Sequence, residues 1–338
     1  MRDERIDLLR FFGLAMIILA HVGPPMVIFQ LRNFDVPLLV MVSGMSFGKA
    51  PTFEPYKQYI RRRIKRLVPP VWIFLTCYFS AAWLIDFPIP HLDWMRVLKS
   101  YLLISGIGYV WIIRVFLLVA LVAPLISRYD RRLASDGRFL AGMSVLLLGH
   151  EGLRFMCYDH IQEGAGKLVS QFAFYILPYA AIFALGLRTI SLKSRLTLVV
   201  AGLSLGVFLS MALLLFTQSG RFVPTQEYKY PPSIYYFSYA VFVALMLWLS
   251  SEKLWLAIAK ITPIKKFVLL VAQNSLWVYL WHIPFVELAR GGFAVKYLVV
   301  FSAAATITYL QTGLVRNFIL PKVPSESARK TITVLFTG

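Results

Sequence analysis

The sequence predicts an all-α fold: a polytopic membrane helical bundle of about ten transmembrane helices, with both termini in the cytoplasm. Three observations predict it. The first is composition. Of 338 residues, 59% are hydrophobic and only 15% are charged, with a mean hydropathy of +0.69, whereas about a quarter of a soluble domain is charged. The second is pattern, because apolar runs long enough to cross ~30 Å of hydrocarbon recur along the whole chain. The third is the side on which Lys and Arg collect from one loop to the next.

The runs place spans near 8–29, 34–48, 67–85, 97–126, 137–157, 168–187, 196–217, 233–250, 267–287 and 294–317. The second is short. The fourth is overlong and is interrupted by Ser105-Gly106-Ile107-Gly108. Such a break is tolerated at membrane depth only where protein or a water-filled cavity covers its backbone. No internal repeat and no cleavable leader stand out, and Arg10 lies in the first run. Residues 1–320 read as one membrane domain and 321–338 as a short basic cytoplasmic tail.

Most basic residues fall on one side: Arg2, Arg5 and Arg10, then Lys49 to Arg66, then Arg128 to Arg138. Arg188 to Arg195, Lys253 to Lys266 and Arg316 to Lys330 continue the pattern. The alternation sets the span count and places both ends inside. A net charge of +19 would point to nucleic acid in a soluble protein. Here it belongs to topology, so the lipid bilayer is an expected partner and nucleic acid is not. Two cysteines, Cys77 and Cys157, are too few for a disulfide framework or a metal centre. His21, His91, His150, His160 and His282 all fall to the outer side, opposite the positive charge.

Ionisable residues within spans are costly and are functional candidates by default. Eleven helical steps of 100° separate Arg10 from His21, so both fall on one face about 16 Å apart. Histidine is the natural general base near neutral pH. The plainer alternative has Arg10 reaching the headgroups and His21 bonding a helix neighbour. Asp7 stands beside Arg10 to orient it or Arg5. Ser43 and Gly44 either let two helices approach closely or border a narrow ligand passage. Seven basic residues from Lys49 to Arg66, densest over Arg61, Arg62, Arg63, Lys65 and Arg66, exceed what an inner anchor needs, and guanidinium forks suit a diphosphate donor. No Gly-rich phosphate loop occurs. Arg114 needs an acidic or backbone partner. Lys229, Tyr230 and Tyr235 form an outer aromatic stretch able to hold sugars, or an interfacial belt. Ser275, Tyr279 and His282 share one helix side.

Taken together, Arg5-x-Asp7-x-x-Arg10, His21, Val36-Pro37 to Ser43-Gly44, Arg63-x-x-Arg66 and Asn274-Ser275 to Tyr279-Leu280-x-His282-x-Pro284 resemble one family. The chain is similar, over nearly its whole length, to the acyltransferase-3 family of bacterial integral-membrane O-acyltransferases. The resemblance implies transfer of an acyl group, commonly acetyl, from cytoplasmic acyl-CoA to a hydroxyl of an envelope or exported glycan or a lipid-linked saccharide. It implies a multi-pass protein of the inner (plasma) membrane, acetyl-CoA as donor co-substrate, and no tightly bound cofactor or metal. By the same resemblance His21 is the catalytic base and Arg10 its paired residue. Arg63 and Arg66, with Arg62 beside them, hold the donor, and Ser43 and Gly44 line its passage. His282 falls with the acceptor-side residues. Met45 replaces an aromatic that often follows Ser-Gly, and Trp111 and Arg114 stand where many members have a glutamate. The rival functions are a transporter or flippase for a glycan or anionic solute, and a non-catalytic partner of a polysaccharide assembly complex.

Overall fold

Helices follow the apolar runs and stop at Gly, Pro and polar breaks. In a computed structural model, residues 3–50, 54–85, 87, 89 and 92–337 are described; Arg2 and His91 lie outside them. The helices are α1 (Glu4–His21), α2 (Met26–Leu31), α3 (Asp35–Gly48), α4 (Tyr56–Leu84), α5 (Trp94–Tyr101), α6 (Trp111–Arg132) and α7 (Asp136–Met156). They continue with α8 (Gly164–Thr189), α9 (Ser194–Ser219), α10 (Ile234–Ala259), α11 (Thr262–Gln273), α12 (Ser275–Leu288), α13 (Phe293–Leu314) and α14 (Glu326–Thr337). No β-strand occurs among the described residues.

Among the described residues, seven segments are long and apolar enough to cross a membrane: Met26–Gly48, Tyr56–Leu84, Trp111–Arg132, Gly164–Thr189, Ser194–Ser219, Ile234–Ala259 and Phe293–Lys322. The chain is a multi-pass helical membrane protein. The other three expected spans are helical but fall short of that measure. The first, α1, carries Glu4, Arg5, Asp7 and Arg10 within 18 residues. In α7, Glu151 and Arg154 interrupt the apolar run. The 267–287 run is split at Asn274 into α11 and α12.

Two compact units divide the chain. The first takes Met1–Gly13, Met26–Phe53 and Leu118–Ala257. Its tightest seam joins α3 to α8. A Cβ on Gly44 would lie 2.1 Å from the Phe183 carbonyl oxygen, and one on Gly186 would lie 2.0 Å from that of Met41. Bare glycine at both positions lets the backbones touch. The outer face of α9 exposes Leu203, Leu209 and Leu213, as lipid-facing surface should.

The second unit takes Leu14–Pro25, Glu54–Leu117 and Ile258–Gly338. α4 runs unbroken through Pro69 and Pro70. Asn274 at the α11–α12 junction donates to the Leu270 carbonyl and accepts from Thr312 on α13. Within the expected basic tail, twelve residues form α14. Trp277 Nε1 donates to the Leu335 carbonyl at 3.0 Å, Gln311 Nε2 donates to that of Phe336 at 2.8 Å, and Lys65 bonds Thr331.

Candidate active site

α1 ends at His21 because Gly23, at φ +68°, and the two prolines after it cannot continue the helix. α12 brings His282 to the same place, with no exposed surface. His282 Nε2 lies 2.9 Å from His21 Nδ1, and the rings stack at 5.0 Å and 22°. His282 Nδ1 faces the Tyr279 carbonyl.

The carbonyl decides the tautomers. It only accepts, so His282 Nδ1 carries the proton and neutral His282 has its lone pair on Nε2. His21 Nδ1–H therefore donates to His282 Nε2. That puts the basic lone pair of His21 on Nε2, on a ring that is partly exposed. A buried histidine orients a more accessible one, which is the relation a general base requires.

The third wall is a loop, residues 102–110, between α5 and α6. This is the break expected at Ser105 to Gly108. Three ties hold it. Arg114 donates to the Leu103 carbonyl at 3.1 Å and to that of Ile104, supplying the backbone partner its position demands. Ile107 N donates to Ser100 Oγ at 3.0 Å, and Tyr279 Oη donates to the Tyr109 carbonyl. Leu103 adopts φ +58°, a conformation unusual outside glycine, and strain of this kind gathers at functional sites. The Tyr109 ring meets His21 edge-on at 4.8 Å and His282 at 5.6 Å, and its hydroxyl reaches toward Glu287 at 3.5 Å. Among the described residues no group of three or more His, Cys, Asp or Glu is placed to hold a metal.

A family model described as an acyltransferase domain, that of acyltransferase-3, matches residues 3–314. The chain belongs to the acyltransferase-3 family. No curated protein and no solved structure matches it.

The remaining site candidates of this acyltransferase separate into groups. Arg10 donates to Asp7 at 2.7 Å and to Ser46 Oγ at 2.9 Å, and Asp7 is fully buried. Asp7 thus orients Arg10, while Arg5 binds Asp3, whose carboxyl the Arg5 hydrogen bond holds below its usual range. Ser43 is partly exposed, but Gly44 is committed to the α8 contact. Close packing, one of the two expectations for Gly44, accounts for it.

On α4, Arg62 pairs with Glu54, Arg63 lies 5.2 Å over the Tyr59 ring, and Arg66 is exposed. About 12 Å of helix separates Arg66 from Phe74. Phe74 meets Trp281, the neighbour of His282, at 5.8 Å.

The acceptor-side candidates do not form one surface. Tyr230 is half exposed. Tyr235 is fully buried, donates to the Val223 carbonyl at 2.8 Å and stacks on Phe208. Lys229 is turned inward, with its ammonium 3.3 Å from Asn33 Oδ1 and 3.5 Å from Asp35. Burial lowers its pKa to about 8. His150 is also buried, against the Pro232 carbonyl at 2.9 Å. Sequence reasoning missed Tyr109 and Glu287. Signals existed: Tyr109 directly follows the glycine break, and Glu287 is an acid at the end of an apolar run.

Proposed function

We propose that the protein is an O-acyltransferase of the bacterial inner membrane that moves an acyl group, acetyl in the first instance, from cytoplasmic acyl-CoA to a hydroxyl of an envelope or exported glycan. The single observation that carries the chemistry is the His21–His282 pair, with the His21 lone pair on Nε2. His21 Nε2 takes the hydroxyl proton as the sugar oxygen attacks the thioester carbonyl. The carbon–sulfur bond breaks, CoA leaves as thiolate, and the imidazolium returns the proton to it. The products are a sugar ester and CoA thiol. Such base assistance contributes typically ~10²–10⁴-fold.

The donor reading draws on α4. Its arginines, Arg66 exposed and Arg63 partly so, suit the CoA phosphates, and an extended pantetheine arm suits the ~12 Å of helix from Arg66 to the level of Phe74. In the topology that Lys and Arg predict, Arg63 and Arg66 face the cytoplasm and His21 lies in the outer half of the membrane. By family resemblance Ser43 is a candidate for the donor passage and Arg10 is the residue paired with His21. The test is purified protein with acetyl-labelled acetyl-CoA and a glycan acceptor. CoA release matched by label in the glycan is expected. Movement of glycan across vesicles without CoA release would replace this reading with transport.

A further inference from the structure

α5 and the 102–110 loop border a second feature, open to one side. A cavity of about 270 Å³ is lined by Asp93, Met95, Arg96, Lys99, Ser105 and Gly106. Its two halves are joined through one side chain. Ser100 Oγ donates to the Arg96 carbonyl at 2.7 Å and accepts from Ile107 N at 3.0 Å. A Cβ on Gly106, at φ +59°, would lie 2.0 Å from that Ser100 oxygen, so only glycine closes the wall. The same loop continues three residues to Tyr109, against His21 and His282. The cavity wall and the catalytic wall are one pinned segment.

Its chemistry is selective. Arg96 and Lys99 are three residues apart on α5, hence neighbours on one face. Against them stands Asp93, whose Oδ1 already accepts from Arg96 N at 2.7 Å as the helix cap. Among the described lining residues two cations face one carboxylate, and Met95 adds an apolar patch. Drug-sized pockets span roughly 300–1,000 Å³, so this space admits one saccharide unit rather than a whole acyl-CoA. The point at which α5 meets α4 also lies away from the donor arginines. α5 is tied at Tyr101 to Trp72 and Thr76, about 9–15 Å along α4 from Arg66.

We propose that this cavity is an acceptor subsite and that it takes a saccharide unit bearing an oxyanion, a hexuronate carboxylate or a sugar phosphate. The proposal rests on the transferase reading above, and its test keeps the two apart. The protein in zwitterionic nanodiscs is titrated, without donor, with three probes: a hexuronate-containing oligosaccharide, the same oligosaccharide after carboxyl reduction, and a phosphorylated one. One or both acidic probes are expected to bind between about tenfold and a hundredfold tighter than the neutral one. Arg96→Gln with Lys99→Gln should erase that difference and leave acetyl-CoA affinity unchanged. Asp93→Asn, which keeps a good helix cap, should tighten acidic binding, a gain that misfolding cannot mimic. Equal affinity for acidic and neutral probes, or acidic binding indifferent to all three changes, overturns the proposal. So does loss of acidic binding in nanodiscs of anionic lipid, which would make the cavity a headgroup site. If charge-dependent binding holds and acetyl-CoA is never consumed, the cavity stands and the donor reading falls.

Discussion

The cluster around Lys229 and the pair His21–His282 are both polar islands among apolar helices, but one is closed and the other is open. In the first, Arg32 donates to Asp35 at 2.8 Å, and Lys229 reaches the same carboxylate and Asn33. Asn33 donates to Thr225 Oγ1, and Thr225 N donates to Gln30 Oε1. Arg32, Asp35 and Lys229 are each 3% exposed or less. Opposite charges answer one another there, and the result is a clamp between the α2–α3 turn and the loop before α10. In the second, the partners are two imidazoles, one of them partly exposed, and when both are neutral the bonding puts the His21 lone pair on Nε2. Burial with satisfied charge makes structure, while burial that orients a basic lone pair makes a site.

The largest effect that sharpens this contrast is at His21. His21→Ala should lower acyl transfer by ~10²–10⁴-fold with the protein still inserted and monodisperse, because the last residue of α1 is not needed to form the helix. Transfer assays beside size-exclusion profiles check both halves. Full activity in a folded variant would remove the mechanism.

The clamp should respond in the opposite sense. Asp35→Ala leaves two buried cations without their carboxylate, a loss of about 3–5 kcal/mol in comparable buried pairs. Thermal unfolding in detergent should fall steeply, while transfer by the surviving folded fraction stays close to normal. Lys229→Met should be milder. It should also abolish a pH dependence. The folded pKa of Lys229 is about 8 and the unfolded value about 10.4, so the unfolded state binds more protons between those limits. Stability contributed by this group therefore rises with pH across that window. A flat difference between parent and Lys229→Met from pH 7.5 to 10.5 would show that the lysine is not strained by its burial.

The two islands also differ in how far they were legible in the sequence. Helices and their breaks could be read because apolar length and Lys/Arg bias are sums over many residues, and the Ser105–Gly108 interruption is a local signal. His21 and His282 were each visible as polar residues in apolar runs. Their pairing was not, since 261 positions separate them and only packing brings α12 to the end of α1. Lys229 and Tyr235 were misleading for the reverse reason. An aromatic, charged loop reads as a binding surface, yet α2 and α3 turn Lys229 inward and Phe208 and Val223 hold Tyr235 in the core. Charge spacing along one loop carries no information about which element covers it.

At the basic rim the effect is intermediate. Arg66→Ala, and likewise Arg63→Ala, should each weaken acetyl-CoA binding by about one to two decades, the ~1.5–3 kcal/mol of a charge-assisted hydrogen bond. Lysine at either position should restore only part, because a point charge replaces a fork. Added salt should weaken donor binding more in the parent than in the variants. If the run is only a topology anchor, removing one charge changes nothing, since positive-inside bias is summed over the loop. Unchanged acetyl-CoA affinity in both alanine variants would return the segment to that role.

The smallest effect is the most discriminating for the open island. His282 holds no substrate in this mechanism; it fixes the tautomer of its neighbour. A side chain that accepts from His21 Nδ1–H and donates to the Tyr279 carbonyl should therefore replace it. Glutamine offers both functions through its amide, so His282→Gln should keep transfer within about threefold of the parent. His282→Leu fills the space but accepts nothing. The His21 proton is then unplaced, and a single lost hydrogen bond of ~0.5–1.5 kcal/mol lowers kcat by roughly three- to tenfold. Donor KM should not move in either variant, because neither touches the α4 arginines. A merely structural role for His282 predicts another pattern. The apolar leucine would be tolerated best in a buried position, glutamine worst, and any loss would follow the amount of folded protein rather than kcat. Equal damage from leucine and glutamine, or a rise in acceptor KM alone, would move His282 from positioning His21 to binding the saccharide.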